Sequence, residues 1–186
     1  GTVVERLTRA VKRPMLVVKP KEGQEDGPFE GFRSLVVSCD GQGHWRRLAP
    51  LLPLLDPDSK SRIHMVHALE APTADARVDT DAASYGQVQQ TLQDRLKRQL
   101  GEQAQRLFAH VHAHFVVVTP GVPEEMVLRT AREQASDVIV VGVRHSGTVG
   151  RWNSGATTEG LLRHAPCCVL TLPESTASTA PAGEDR

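Results

Sequence analysis

The sequence predicts a doubly wound α/β domain. Three observations carry that expectation: short apolar runs without polar alternation, helical apolar spacings between them, and the regular alternation of the two. Leu35 to Cys39, Phe115 to Thr119, Asp137 to Val141 and Cys167 to Leu172 are rich in Val and Leu. Strands buried on both faces, as in a parallel sheet, read this way because neither face meets water. Arg62 to Leu69 carries Ile63, Met65, Val66 and Leu69 with His64 and His67 between them, and is read as a further strand. Val88, Leu92, Leu96, Leu100, Leu107, Phe108 and Val111 recur mostly at four-residue spacing, which predicts one long amphipathic helix from Ser84 to His112. Pro123 opens another helix, since the first turn leaves its amides unpaired anyway, and Glu124 and Glu125 suit the positive dipole end. Val127, Ala131 and Ala135 then face the sheet. Trp45, Leu48, Leu52 and Leu55 keep helical spacing after the first strand, but Pro50 and Pro53 remove backbone hydrogen bonds, so a kinked or shortened helix is expected there. A last helix runs from Thr157 to His164 and stops ahead of Pro166.

Composition narrows the function classes. Lys+Arg and Asp+Glu are equal at 22 each in 186 residues. No long-range field therefore favours a polyanion, which argues against nucleic acid or an anionic membrane as the main partner. Apolar runs such as Val138 to Val141 are too short to span a bilayer, and no apolar signal region follows a charged start, so a soluble, cytoplasmic protein is expected. Cys39, Cys167 and Cys168 are odd in number and sit in predicted strands, so they are read as buried apolar side chains rather than a disulfide framework.

An internal repeat accounts for the start of the chain. Setting Gly1 to Lys19 against Gly155 to Pro173 aligns Glu5 with Glu159, Leu7 with Leu161, Arg9 with Arg163 and Leu16 with Leu170. Both stretches read as a helix followed by an apolar strand, which makes residues 1–20 the tail of a preceding copy of the same domain. The alternative is an unrelated helix and strand. Residues 21–31, with four acidic residues and three glycines, read as a linker, and 32–174 as the domain. Residues 70–83 read as a loop, and residues 175–186 are too poor in apolar side chains to fold, which predicts a disordered tail. Pro14 to Lys19 then corresponds to the last strand. It is expected to pair with Cys168 to Leu172, within the chain or with a neighbour, because an apolar edge would otherwise meet solvent.

Ligands of open α/β sheets bind beyond the carboxyl ends of the strands, where the strand order reverses. Two glycine-bearing loops qualify: Ser38-Cys39-Asp40-Gly41-Gln42-Gly43, and the stretch from Gly142 to Gly155. Glycine lets backbone approach a phosphate, and the helix that follows offers free amides. Asp40 has the chemistry to accept hydrogen bonds from a ribose or to help hold a metal.

At these residues the chain resembles the universal stress protein family. Asp40-Gly41 after Leu35-Val36-Val37 is similar to the family's first strand and its Asp-Gly opening, and His67-Ala68 to the end of its second. Asp137 to Gly142, Gly150-Arg151 and Leu162 to Cys167 resemble its C-terminal stretch. The resemblance implies a five-stranded parallel sheet of order 3-2-1-4-5 and dimers built along the fifth strand. Members that bind ATP carry Gly, two residues, Gly, nine residues, Gly, then Ser or Thr. Gly142 and Gly155 hold the first and last glycine positions, whereas His145 replaces the middle glycine and Ala156 the hydroxyl residue. Carried over residue by residue, adenine and ribose contacts fall at Cys39, Asp40, Ala68 and Val141. Phosphate contacts fall at Gly142, His145, Gly155, Ala156, Thr157 and Thr158, with ATP and magnesium as the implied ligand. An imidazole at His145 crowds a phosphate or strains a positive φ, and Ala156 removes a donor, so the loop reads as degenerate. Arg144, Arg151, Ser154, Thr157 and Thr158 are at hand to replace part of what is lost. The alternative is that the glycines only shape turns.

Other candidates have two readings each. His110, His112 and His114 alternate and in an extended segment would share a face fit for a metal, but they also suit a helix end and its turn. Cys167 and Cys168 point to opposite faces of a strand, which makes them poor joint ligands. Trp45 and Trp152 flank the two loops, where they would either stack on a base or cover the core. No nucleophile, base and orienting acid stand in a recognised hydrolase order, so no catalytic residue is assigned. The first expectation is a regulatory or binding module of stress response, pairing through its last strand or forming a homo-oligomer. A slow ATPase or nucleotide-dependent enzyme, and a regulatory domain of a larger transporter or kinase, are the alternatives.

Overall fold

The computed structural model describes residues 3–19, 31–39, 43–55, 60–69, 82–143 and 154–173. Its strands are β1 (Met15–Val17), β2 (Ser34–Ser38), β3 (Arg62–Leu69), β4 (Ala113–Pro120), β5 (Val138–Val143) and β6 (Cys168–Pro173). They form one sheet in the order β1-β6-β5-β2-β3-β4. Neighbours from β6 to β4 run parallel, which is the expected 3-2-1-4-5 sheet, and β1 adds antiparallel to β6. The helices are α1 (Val3–Ala10), α2 (Leu52–Leu55), α3 (Ala82–Leu107), α4 (Pro123–Glu133) and α5 (Ser154–His164), with a 3-10 helix, His44–Leu51, leading into α2. The expected linker, residues 21–31, lies outside the described residues except for Gly31, and the expected tail, 175–186, and residues 70–81 of the expected loop lie wholly outside them.

Strand alternation divides the core in two. Leu35 and Val37 point to one face, with Trp45, Leu48 and Leu52 from the helices after β2 and with Leu100, Ala104 and Phe108 at the end of α3. Val36, Ile139 and Val141 point to the other, with Val127, Leu128 and Ala131 of α4 and Leu161, Leu162 and Ala165 of α5. Helices thus cover both faces, as strands without polar alternation require. Cys39 and Cys167 are buried, Cys168 is half-buried, and none of the three is in a disulfide.

The segment after β2 is shortened as its prolines dictate. It enters through Gly43 at φ 74°, a left-handed angle that glycine adopts without strain, and winds as a 3-10 helix past Pro50. Trp45 is buried there, its ring 6.0 Å from that of Phe108. The core-covering reading of Trp45 is the one observed.

Three sequence expectations need correction. The long helix ends at Leu107 rather than His112. The amide of His112 already donates to Ser61 O at 3.1 Å, so the chain has turned toward β4, and His110 and His112 lie in that turn. Val88 and Leu92 do not face the core but are exposed. A 26-residue helix is about 39 Å long, whereas an eight-residue strand spans about 26 Å, so the first turns of α3 overrun the sheet. Ala135 does not face the sheet either: it stands exposed at φ 44° just beyond α4. The amide of Ser136 reaches Ala131 O at 2.9 Å and that of Ala135 reaches Arg132 O at 3.1 Å, the bond pattern that closes a helix through one left-handed residue.

At the amino end of the sheet Asp137 locks β2 to β5, a role the sequence did not announce. Its Oδ2 accepts from the amides of Arg33 at 2.7 Å and Ser34 at 2.8 Å, while its own amide donates to Ser34 O at 2.8 Å. On the face covered by α4 and α5, Gly160 leaves room for the Glu124 carboxylate, which a Cβ there would displace. That carboxylate accepts from His164 Nδ1 at 3.0 Å.

Candidate functional site

The strand order reverses at β2, whose neighbours are β3 on one side and β5 on the other. Connections leave these two sides toward opposite faces, so the carboxyl ends of β2 and β5 are where an open α/β sheet takes its ligand. The register fixes what meets there. Val37 pairs with Met65 and with Val140, so Cys39, two residues on, is level with His67 and Gly142. Cys39, Ala68, Val141 and Gly142 therefore come to one end of the sheet, and α5 begins beside them with Gly155, Ala156, Thr157 and Thr158 in its first turns.

The backbone of this end is held by hydrogen bonds across strands. The amide of Cys39 donates to Val66 O at 2.8 Å, and His67 Nδ1 donates to Cys39 O at 2.7 Å. A carbonyl only accepts, so this bond places a proton on Nδ1 of His67. His67 was noted in the sequence as a strand residue and through the resemblance, and its bond to Cys39 O holds the end of β2 beside β3. Its signal was its place one residue before Ala68, level with Cys39.

The site residues differ in what they offer. Cys39 and Val141 are buried, Ala68 and Gly142 half-buried, so the former present packing surface rather than polar groups. At α5, Ala156 is exposed and Thr157 half-buried, while Thr158 is buried with its hydroxyl donating to Gly142 O at 3.3 Å. That bond ties α5 to the end of β5 and commits the Thr158 donor within the protein. Asp40 and His145 lie outside the described residues, as do Arg144, Arg151 and Trp152. Of the residues the resemblance assigns, only Asp40 carries a carboxylate for a metal. Among the described residues no three His, Cys, Asp or Glu side chains gather as a metal site, the histidines around β4 included. No helix among them is long and apolar enough to cross a membrane.

A doubly wound parallel sheet whose order reverses at β2, with α5 tied to the end of β5, defines an α/β protein of the open-sheet class. The chain belongs to the universal stress protein family, whose model matches residues 55–173. The protein named "Universal stress protein in QAH/OAS sulfhydrylase 3'region" from Thermus aquaticus is 28% identical over 147 residues, covering 76% of this chain and 98% of its own. A universal stress protein structure from Archaeoglobus fulgidus superimposes with a TM-score of 0.59 at 17% identity, covering 92% of this chain and 54% of that one. One from Arabidopsis thaliana, with AMP bound, superimposes with a TM-score of 0.50 at 14% identity, covering 83% of this chain and 99% of that one.

Proposed function

We propose that this protein is a non-catalytic regulatory module of stress response that takes an adenine nucleotide between the ends of β2 and β5, with a weakened grip on the phosphates. Family membership and the AMP-bound relative support the nucleotide, and the first turns of α5 support the weakened grip. The observation that carries the reading is the pair Ala156 and Thr158: one has a methyl where ATP-binding members have a hydroxyl, and the hydroxyl of the other is already bonded to Gly142 O. Free amides at the start of α5 and the half-buried Thr157 remain for one phosphate. The adenosine end then supplies most of the affinity, and each added phosphate contributes little. Asp40, the one carboxylate among the assigned residues, would hold magnesium if the ion enters with the nucleotide.

Isothermal titration with adenosine, AMP and ATP with magnesium tests the reading. AMP and ATP are expected to bind within about tenfold of each other, a difference under about 1.4 kcal/mol. Binding of ATP with magnesium a hundredfold tighter than AMP, or release of inorganic phosphate from ATP on prolonged incubation, would overturn it.

A further inference from the structure

The sheet ends on two unlike edges. On one side β6 is paired with both β5 and β1, so its backbone groups are taken within the chain, and the outermost strand β1 is only three residues long. On the other side β4, eight residues long, has β3 along one edge and, among the described residues, no strand along the other. Alternate amides and carbonyls of an edge strand point away from its neighbour, so a row of backbone groups faces outward along β4. Its register with β3 runs unbroken from Ala113 opposite Arg62 to Pro120 opposite Leu69, and no bulge turns that row aside.

Edge strands that stay single carry guards against pairing, and β4 has few. A lysine or an inward-pointing charge makes a new neighbour costly, but Ala113 to Pro120 contains no Lys, Arg, Asp or Glu. Pro120 stands at the last position, where it withholds one amide and leaves residues 113–119 able to pair. Apolar surface accompanies the open edge. Val116 and Val118 pack toward the cluster of Leu100 and Ala104 and are half-buried, and Val117, packed on the opposite face, is half-buried too. Phe115 is 47% exposed, with its ring against that of His64, whereas Val36 and Val37 at the centre of the sheet are 0% exposed.

We propose that the β4 edge is an interface at which a second copy of this chain adds antiparallel about a two-fold axis, joining the two sheets into one. The occupant follows from the chemistry of the strand. A neutral strand meets its own copy without like charges face to face, and 22 basic against 22 acidic residues leave no net charge to hold two chains apart. An axis at Val116 sets Phe115 across from Val117, His114 across from Val118 and Ala113 across from Thr119. Each Phe115 ring then lies beside a β-branched side chain of the other copy, a favourable cross-strand pair. In this register His114 does not meet its own copy, and Pro120 falls outside the new ladder. The chain already accepts an antiparallel strand on its opposite edge, where β1 closes β6. Nothing in this pairing depends on a bound nucleotide.

Sedimentation of the full chain over a concentration series tests the interface, with hydrogen exchange followed in the same samples. A dimer is expected to form by about 100 μM, an affinity in keeping with an interface built on one ladder. Exchange of the outward amides of residues 113–119 is expected to slow roughly tenfold or more as the dimer fills, while that of residues 15–17 stays unchanged. Phe115→Lys is expected to weaken the dimer at least about tenfold, because it sets two ammonium groups diagonally across the axis. Phe115→Tyr, which keeps the ring, is expected to retain it. Circular dichroism reports whether the lysine variant folds, and Thr119→Lys at the rim of the same ladder gives the same reading if it does not. Leu16→Lys places a charge on the opposite edge and is expected to leave the dimer intact. A monomer at about 100 μM would overturn the proposal. So would a dimer that survives the lysine substitutions in β4, or one that Leu16→Lys disrupts as strongly.

Discussion

Arg163 Nη2 lies 3.0 Å from Oε1 of Glu5, and so joins two helices that are 158 residues apart in sequence. Glu5 is 5% exposed in the first turn of α1, where a carboxylate also suits the positive dipole end, while Arg163 at the end of α5 is largely exposed. The pair is therefore one-sided: a carboxylate removed from water is met by a guanidinium that reaches in from it. Truncating Arg163 to Ala is expected to cost about 1 kcal/mol, more than an exposed ion pair of the same length would. A double-mutant cycle of Arg163→Ala with Glu5→Gln, followed by urea unfolding, is expected to give a coupling of about 1 kcal/mol. A coupling near zero would mean that the contact contributes nothing to holding α1 on α5.

Ala135 offers a stabilising substitution. At φ 44° a Cβ crowds the backbone, and the left-handed region costs an ordinary L-residue about 1 kcal/mol or more. Glycine removes that cost but loosens the unfolded chain, which returns part of the gain. Ala135→Gly is expected to stabilise by about 0.5 kcal/mol, and Ala135→Val to destabilise by about 1 kcal/mol because a branched Cβ worsens the same clash. Thermal unfolding of both variants checks the order. A glycine variant less stable than the parent would show that the turn is not strained.

His64 predicts the direction of one pH response. It is buried in β3, its ring 4.9 Å from that of Phe115 and nearly parallel to it, and its Nε2 finds no partner among the described residues. Burial, and then the charge of Arg62, lower its pKa below the ordinary histidine value. In the window between the lowered and the ordinary value the unfolded chain binds the extra proton and the folded one does not, so stability rises with pH there. Stability should be flat in this contribution above the ordinary histidine range, and should fall as acid is added below it until the lowered value is passed. Chemical unfolding across that range, with His64→Phe as the comparison, is expected to show a shallower acid decline in the variant. Identical slopes would remove His64 as the cause.

The fold was legible because strand burial leaves a mark in local composition. Leu35 to Val37 and Val138 to Val141 lack polar residues because both their faces are packed. The shortening of the helix after β2 was legible for a different reason, since Pro50 acts on the backbone directly. What stayed hidden depends on where an element ends relative to the sheet. Val88 and Leu92 keep the helical period, yet the period does not say that α3 outruns its strands. Asp137 reads as an ordinary strand-start residue, and only the closeness of β2 to β5 gives its carboxylate two amides to bind. At the site, the sequence named Cys39, Ala68, Val141 and Gly142 only through the resemblance; the register brings Cys39 level with Gly142, with Ala68 and Val141 one residue away. The sequence did not show the Thr158 bond to Gly142 O, which needs the distance between α5 and the end of β5.

The last prediction separates a weakened phosphate site from an absent one. Thr158 is committed to Gly142 O, so adding hydroxyl capacity at α5 has to come from a position that is still open, and Ala156 is exposed in the first turn. Serine there restores a donor beside free amides, where a charge-assisted bond to phosphate contributes about 1.5–3 kcal/mol. His145 must change as well if its side chain occupies the phosphate position, because a hydroxyl cannot help a ligand that has no room. Ala156→Ser combined with His145→Gly is expected to tighten ATP binding by at least about tenfold and to leave adenosine affinity unchanged. The comparison with adenosine is what makes the result readable. Equal gains for both ligands would place the effect in the loop's overall order rather than at the phosphates, and no gain for either would locate the defect at the Cys39 and Ala68 end of the site.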